Sequence, residues 1–408
     1  MKFLFVASPF PYPPDTGSRN LIFHWLEAAS QKHAVDLQVI ENVPSGKTEI
    51  PELPQIKTTV RTAPVPHSLP RRISRLLSST VEGVPATSLV VMPGVIKKEM
   101  LSLVHSGRYD AVVLTENVVA GYAPLFAPFV PVVLFKHSVQ AVDASDARVR
   151  FGRSHPRWAL EEWIVERFER RTCRAASVVC CVNSEDADAL ARRYALAEKP
   201  FVVPIGVDLS RFPARATDPG GKDIGFYGNL TWGANVDAAH WFAEEVLPKV
   251  WEKHPDARFR VVGPGSESLR FFGRDPRLVC LGPVDQTGIA KAMQDVAVGV
   301  VPVISGTGVR LKLLEMLSMG IPTVATSLGC LGTGGEHGKH LLVADDPDSF
   351  AAAVSLLLSE PELRKRLSRA GAELAPRHSW KSFYPRILSM LEQAVSRRSA
   401  AQRLRSRT

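Results

Sequence analysis

One stretch of this chain gathers the residue types needed to hold a phosphorylated ligand. Pro302-Val-Ile-Ser-Gly-Thr-Gly-Val-Arg-Leu-Lys-Leu-Leu-Glu-Met-Leu-Ser-Met-Gly-Ile-Pro322 opens on two glycines, passes through Arg310 and Lys312 into an apolar run of helical period, and leaves through Gly320 and Pro322. That pattern predicts a strand, a glycine turn and a helix ending at Gly320. Gly306 and Gly308 leave the first helical amides uncovered, and a helix N-terminus carries about half a positive charge, so this end suits an anion such as a diphosphate. Arg310 and Lys312 add formal charge, and Glu315, one or two turns deeper, can accept the paired hydroxyls of a ribose. A core helix with a glycine turn and two solvated cations would use the same residue types. The combination of turn, basic pair, glutamate and Gly-x-Pro exit favours a nucleotide site.

A second set lies in the first half. In Pro11-Tyr-Pro-Pro-Asp-Thr-Gly-Ser-Arg19, Gly17 permits close backbone approach, and Ser18 or Thr16 can cap the following helix, leaving its amides open to a ligand. An ordinary capped turn between strand and helix has the same residues. His137 stands just past the carboxyl end of an apolar strand, where a side chain can reach a ligand but where a lone histidine is also a common structural residue. Glu116 and Asn117, at the end of the preceding strand, are candidate acceptor contacts or, equally, helix caps. Asp186-Ala-Asp188 spells a metal motif, yet it opens a helix behind Ser184, where acidic residues favour the helix dipole, so no metal site is expected. Gly338-Lys339 lacks the rest of a P-loop and no Gly-x-Gly-x-x-Gly follows a strand, which argues against kinase-type and dehydrogenase chemistry.

These residues need a frame, and the chain reads as an α/β one. Apolar strand candidates at Lys2 to Ala7, Val35 to Ile40, Ala111 to Thr115, Val130 to Phe135 and Ser177 to Val182 alternate with helices in the first half, and a similar alternation runs from Asp223 to Val343 in the second. Two doubly wound domains follow, at 1–198 and 199–376, with ligands expected in a cleft between them. Residues 41–106, interrupted by eight prolines, read as loops and short helices.

The length of 408 residues fits two domains, and 45% hydrophobic with 22% charged residues excludes a disordered or fibrous chain. No apolar run approaches the roughly 18 residues of a membrane helix. The first apolar run breaks at Pro9, Pro11, Pro13 and Pro14, which reads as a buried strand rather than a signal peptide. Five cysteines without metal spacing read as reduced core thiols, hence a cytoplasmic setting. A net charge of +9 invites nucleic acid or an anionic membrane, but part of it sits in the tail 396–408, expected to be disordered. Arg71, Arg72 and Arg75 beside Ile73, Leu76 and Leu77 fit a solvated helix better than a membrane-surface one.

The 302–322 stretch resembles the donor-binding motif of the retaining glycosyltransferases of family 4, which have the GT-B fold. The resemblance continues through Gly225-Phe-Tyr-Gly-Asn-Leu-Thr-Trp232, Asn235-Val-Asp-Ala-Ala, Val262-Gly263, Leu281-Gly282 and Leu342-Val-Ala-Asp-Asp-Pro347, and covers the second half nearly end to end. It implies two Rossmann-like domains facing each other across a cleft, an N-terminal one for the acceptor and a C-terminal one for a nucleotide sugar. A helix at about 377–395 would return to the N-terminal domain. Glu315 matches the family's ribose-binding glutamate, while Thr307 replaces the glutamate eight residues earlier that meets the donor sugar. Asn229 follows Gly228 where the family commonly has an arginine, and no lysine comes after it, so Arg310 and Lys312 are inferred to supply the phosphate charge. Ile205 stands where the family often has asparagine. Thr307, Gly308, Gly228, Asn229, Gly17 and Ser18 are implied donor contacts, and His137 resembles the family's active-site histidine.

The reaction implied is transfer of a hexosyl unit, with retention, from a nucleoside diphosphate sugar to a small-molecule or lipid-linked hydroxyl acceptor. Uridine is favoured as the base by its frequency in the family. No cofactor, no metal and no nucleic acid are expected, and peripheral contact with the inner face of an anionic membrane stays open. A nucleotide-sugar 2-epimerase of similar architecture and a non-catalytic sugar-nucleotide or nucleic-acid binder are the alternatives.

Overall fold

The computed structural model describes residues 1–14, 16–63, 78–142, 144–145, 156–284, 286–306 and 310–405. The chain divides into two units, Met1–Pro204 with Phe383–Thr408, and Ile205–Ser382.

In the first unit, β1 (Lys2–Ala7), β2 (Ala34–Glu41), β3 (Lys57–Thr62), β4 (Ala111–Leu114), β5 (Val132–Lys136), β6 (Val178–Cys181) and β7 (Phe201–Val202) form a parallel sheet in the order β3-β2-β1-β4-β5-β6-β7. The second holds β8 (Asp223–Tyr227), β9 (Arg258–Val262), β10 (Leu278–Cys280), β11 (Val298–Val301), β12 (Thr323–Ala325) and β13 (Leu342–Val343), parallel in the order β10-β9-β8-β11-β12-β13. Phe3 to Ala7 and Val298, Val300 and Val301 have no exposed surface. Helices cover both faces of such sheets, so their strands read as continuous apolar runs. Each order reverses beside the strand that opens its unit, at β1/β4 and at β8/β11. There the crossover connections diverge, and ligands of open α/β sheets bind at the carboxyl ends of the strands.

The helices used below are α1 (Gly17–Ser30), α2 (Gly94–His105), α3 (Pro156–Ala175), α4 (Ser184–Tyr194), α5 (Gly233–Trp241), α6 (Leu311–Ser318), α7 (Pro347–Ser359), α8 (Pro361–Leu374) and α9 (Trp380–Arg405). Three features of the fold differ from expectation. β3 lies in the proline-rich stretch read as loops and short helices. It is an edge strand whose Lys57 and Arg61 stand beside Val60, so no apolar run announces it, and it is held by register on β2 from Asp36↔Lys57 to Glu41↔Thr62. The cap of α4 is Asn183, whose side chain accepts from Asp186 N at 2.6 Å, not Ser184. The basic tail is helical through Arg405 rather than irregular, because Ala400, Ala401, Gln402 and the arginines all favour helix.

Within the second unit α9 begins with Trp380 packed so closely on Gly206 that a Cβ there would lie 2.7 Å from the indole. Further along, in the first unit, Tyr384 Oη is 3.0 Å from His24 Nδ1 and Arg397 donates to the Ser177 carbonyl at 3.1 Å. The five cysteines are free; Cys173, Cys180 and Cys181 are buried, but Cys280 and Cys330 are only half-buried, not core. Among the described residues no helix is long and apolar enough to cross a membrane. The segment carrying Arg71, Arg72 and Arg75 lies outside the described residues.

Candidate functional site

In the second unit the loops after β8 and β11 meet at the strand-order reversal. β8 ends in Phe226 and Tyr227, and Gly228 follows with its amide on the Val262 carbonyl at 3.0 Å. The Gly228 carbonyl runs so close to Gly263, at φ +131°, that a Cβ on Gly263 would come within 2.0 Å of it; only glycine fits there. From α6 the Lys312 ammonium reaches across to this loop. It donates to Asn235 Oδ1 at 2.6 Å, lies 4.4 Å from the centre of the Phe226 ring, and sits where a Gly228 Cβ would be, at 2.8 Å. Asn235 in turn donates from Nδ2 to the Asn229 carbonyl at 2.8 Å. Asn229 uses its own side chain on Thr231, accepting from its amide at 2.9 Å and its hydroxyl at 2.7 Å, and so shapes the turn.

Glu315, one turn further along α6, accepts from the Tyr227 hydroxyl at 2.5 Å. Burial pushes its carboxyl up to about 7 against the pull of that hydroxyl and of Lys312. Burial, helped by the charge of Arg310, pushes the Lys312 ammonium down to about 7 against the attraction of Glu315. Both charges are thus held at a cost that an incoming anion and hydroxyl groups would relieve. Arg310 occupies the cap position of α6, makes no side-chain cap, and donates to the carbonyls of Ser305 at 3.1 Å and Gly306 at 2.6 Å. Its guanidinium is thus engaged by the backbone just before the glycine turn, where Gly306 has φ +88°. Thr307 and Gly308 lie outside the described residues.

In the first unit a second group forms beside the β1/β4 reversal. His137 Nε2 is 3.0 Å from the Thr115 carbonyl and 3.1 Å from Glu116 Oε1. Burial works against the imidazolium, but the Glu116 carboxylate and these hydrogen bonds outweigh it and raise the histidine's pKa. The ring stands edge-on to Phe135 at 4.8 Å, and Phe135 meets Trp25 of α1 at 4.9 Å. Glu116 and Asn117 precede and open a short 3-10 helix, Asn117–Tyr122, without a side-chain cap, so capping is not their role. Glu116 pairs with His137, and the buried Asn117 Oδ1 has no protein partner among the described residues. Thr16, not Ser18, caps α1, accepting from Arg19 N at 3.4 Å and leaving Gly17 and Ser18 in the first turn.

Sequence reasoning therefore brought Lys312, Glu315, Gly228 and Asn229 to one place, and His137 and Glu116 to another. It missed Tyr227 and Asn235, which stood inside the quoted runs, and did not foresee that Asn229 Oδ1 shapes the turn at Thr231. Asp186 and Asp188 of the rejected metal motif serve α4: Asp186 accepts from Asn183 Nδ2 at 3.1 Å and Asp188 pairs with Lys199 at 2.7 Å.

The sequence pattern described as Glycosyltransferase Family 4 matches residues 26–211, and that described as Glycosyl transferases group 1 matches residues 221–360. The phosphatidyl-myo-inositol mannosyltransferase of Mycobacterium leprae is 32% identical over 229 residues, covering 52% of this chain and 59% of that protein. The D-inositol 3-phosphate glycosyltransferase of Corynebacterium urealyticum is 27% identical over 221 residues, 46% of this chain and 50% of that protein. The matches thus span between half and three fifths of these curated relatives. Sucrose-phosphate synthase from Thermosynechococcus elongatus superposes with a TM-score of 0.73 at 16% identity, covering 97% of this chain and 99% of that one. Anabaena HepE in complex with UDP-glucose gives 0.67 at 14%, covering 96% and 100%; at such identities the likeness is one of fold. With one glycosyltransferase pattern on each of two Rossmann-like units of matching strand order, the chain belongs to the glycosyltransferases of family 4 and has the GT-B fold.

Proposed function

We propose that this chain transfers a hexosyl unit, with retention of configuration, from a nucleoside diphosphate sugar to a hydroxyl acceptor. The observation that carries the reading is the Lys312 ammonium, held 2.6 Å from Asn235 Oδ1 against Gly228 at the β8/β11 reversal, beside the side-chain-uncapped start of α6. A diphosphate placed there meets a fixed cation and helical amides, which together stabilise the charge that develops as the sugar leaves. Glu315, steadied by Tyr227, takes the ribose hydroxyls. His137, with Nε2 engaged by Thr115 and Glu116, presents its other ring nitrogen to a hydroxyl of the transferring sugar. Asn117 and Glu116 contact the acceptor. Gly17 and Ser18 leave α1 open to approach by phosphate.

Uridine is the proposed base; the solved complex of HepE contains UDP-glucose. The names of the inositol-directed relatives support a polyol acceptor, free, phosphorylated or lipid-linked. Charge neutralisation by Lys312 and α6 makes a divalent metal unnecessary in this reading. The test is incubation with labelled UDP- and GDP-hexoses, first alone and then with inositol, inositol phosphate and phosphatidylinositol. Slow release of free sugar, turned to glycoside by an acceptor and unaffected by EDTA, is expected. An isomerised donor would make the chain an epimerase, and an unchanged donor bound tightly would make it a binding protein.

A further inference from the structure

Lys136, the last residue of β5, and Glu169, in the middle of α3, form an ion pair at 2.7 Å with both side chains wholly out of solvent. A buried ion pair is a weak source of stability, because desolvating two ions costs about as much as their attraction returns. What distinguishes this one is what else the carboxylate holds. Its Oε1 accepts from Lys136 Nζ and from the amide of Gln140 at 3.1 Å; its Oε2 accepts from the amide of Ala141 at 3.1 Å and from the Tyr194 hydroxyl at 2.7 Å. One carboxylate therefore grips both ends of the segment 136–141, and His137 lies inside that grip.

Along β5 the side chains alternate, so Lys136 turns toward α3 while Phe135 and His137 share the other face, their rings 4.8 Å apart. Tyr194 anchors the carboxylate from α4, and the Thr172 hydroxyl bonds the Glu169 carbonyl at 3.1 Å. Attraction to Lys136 and these hydrogen bonds outweigh burial and keep Glu169 more acidic than a free glutamate, so the grip is ionic at neutral pH.

We infer that Glu169, Lys136 and Tyr194 are positioning residues that hold the His137 segment against Thr115 and Glu116, and so set the place of the imidazole during transfer. The catalytic half of this inference rests on the proposed reaction; the geometric half does not. Misplacement of a reacting group by about 1 Å can cost as much as a hundredfold in rate, so a loosened segment should be visible in kcat.

The experiment uses Lys136→Met with Glu169→Gln, which removes both buried charges together, and Tyr194→Phe, which keeps the buried ring and loosens only one anchor of the carboxylate. Melting temperature, nucleoside diphosphate affinity, kcat and the His137 imidazole titration by NMR are measured on each. Expected are a folded double variant with unchanged diphosphate affinity and a kcat lower by roughly tenfold or more; the loss of the Lys136 charge by itself raises the His137 pKa, so the titration is read in the variant that keeps both charges. Tyr194→Phe keeps both charges, lowers kcat by less and displaces the His137 titration toward lower pH as its contact with Glu116 loosens, and it decides the matter if the double variant fails to fold. A folded Tyr194→Phe variant whose His137 titrates as in the wild type overturns the inference, whatever its kcat. If the wild-type protein turns over no sugar nucleotide, the proposed reaction fails, and the His137 titration alone still decides whether the grip positions the ring.

Discussion

Each unit carries a lysine and a glutamate at the carboxyl end of its sheet, and the two pairs are built to opposite specifications. Lys136 and Glu169 are completely buried and bonded to each other, and both carboxylate oxygens are occupied twice. Lys312 and Glu315 are less enclosed; the ammonium leans on an amide oxygen and the carboxylate on a phenol, and both are pushed to about 7. A satisfied cluster holds structure in place, whereas one kept short of compensation is ready to take a ligand that supplies it.

The sharpest way to break this contrast is to neutralise one lysine at a time. Lys136→Met leaves Glu169 buried and unpaired and should cost about 3 to 5 kcal/mol of stability, read from denaturant unfolding. Lys312→Met should leave stability unchanged or slightly raised, because it removes a charge that the fold holds at a cost. Its effect belongs in binding: a nucleoside diphosphate should bind more weakly by roughly 1.5 to 3 kcal/mol, and the nucleoside by less, through the further rise of the Glu315 pKa once the Lys312 charge is gone. Equal losses for both ligands would detach Lys312 from the phosphates.

The pH dependence sharpens the comparison further. Free Lys312 loses its proton near 7 and a bound diphosphate raises that pKa. Above about 7 binding must therefore bring a proton, and diphosphate affinity should fall as pH rises, by at most about tenfold per unit. Glu315 takes up a proton as pH falls through about 7 and loses acceptor capacity for ribose, so nucleoside affinity should weaken on the acid side. Because the diphosphate carries the ribose too, both affinities fall on the acid side, whereas above about 7 only the diphosphate affinity falls. Calorimetric titration of the two ligands from pH 6 to about 9 reads this, and parallel curves on the alkaline side would dissolve the assignment. The smallest effect concerns Gly228→Ala, whose new methyl would crowd the flexible end of Lys312 rather than backbone. It should weaken diphosphate binding by about 1 kcal/mol without lowering the melting temperature. By contrast, Gly263→Ala, which would collide with the Gly228 carbonyl, should lower it.

Much of the frame was legible because parallel strands buried on both faces write themselves as apolar runs, as Lys2–Ala7 and Val298–Val301 do. The helix carrying Lys312 and Glu315 was legible for a similar reason: its signal is local. β3 was not, since an edge strand with alternating Thr58, Val60 and Arg61 carries no such run. Neither were the contacts that define the site. Asn235 meets Lys312 across 77 residues and Tyr227 meets Glu315 across 88, and no local pattern ties such positions together. The grip of Glu169 was hidden twice over, by sequence distance and because a glutamate among the arginines of α3 reads as one more solvated charge.

The central claim, that the β8/β11 reversal of the second unit holds the diphosphate of a sugar nucleotide, is tested most directly by a crystal structure of the protein with a nucleoside diphosphate. The account expects a phosphate oxygen within hydrogen-bond reach of Lys312 Nζ and the ribose hydroxyls on Glu315. A diphosphate bound away from both residues would contradict it.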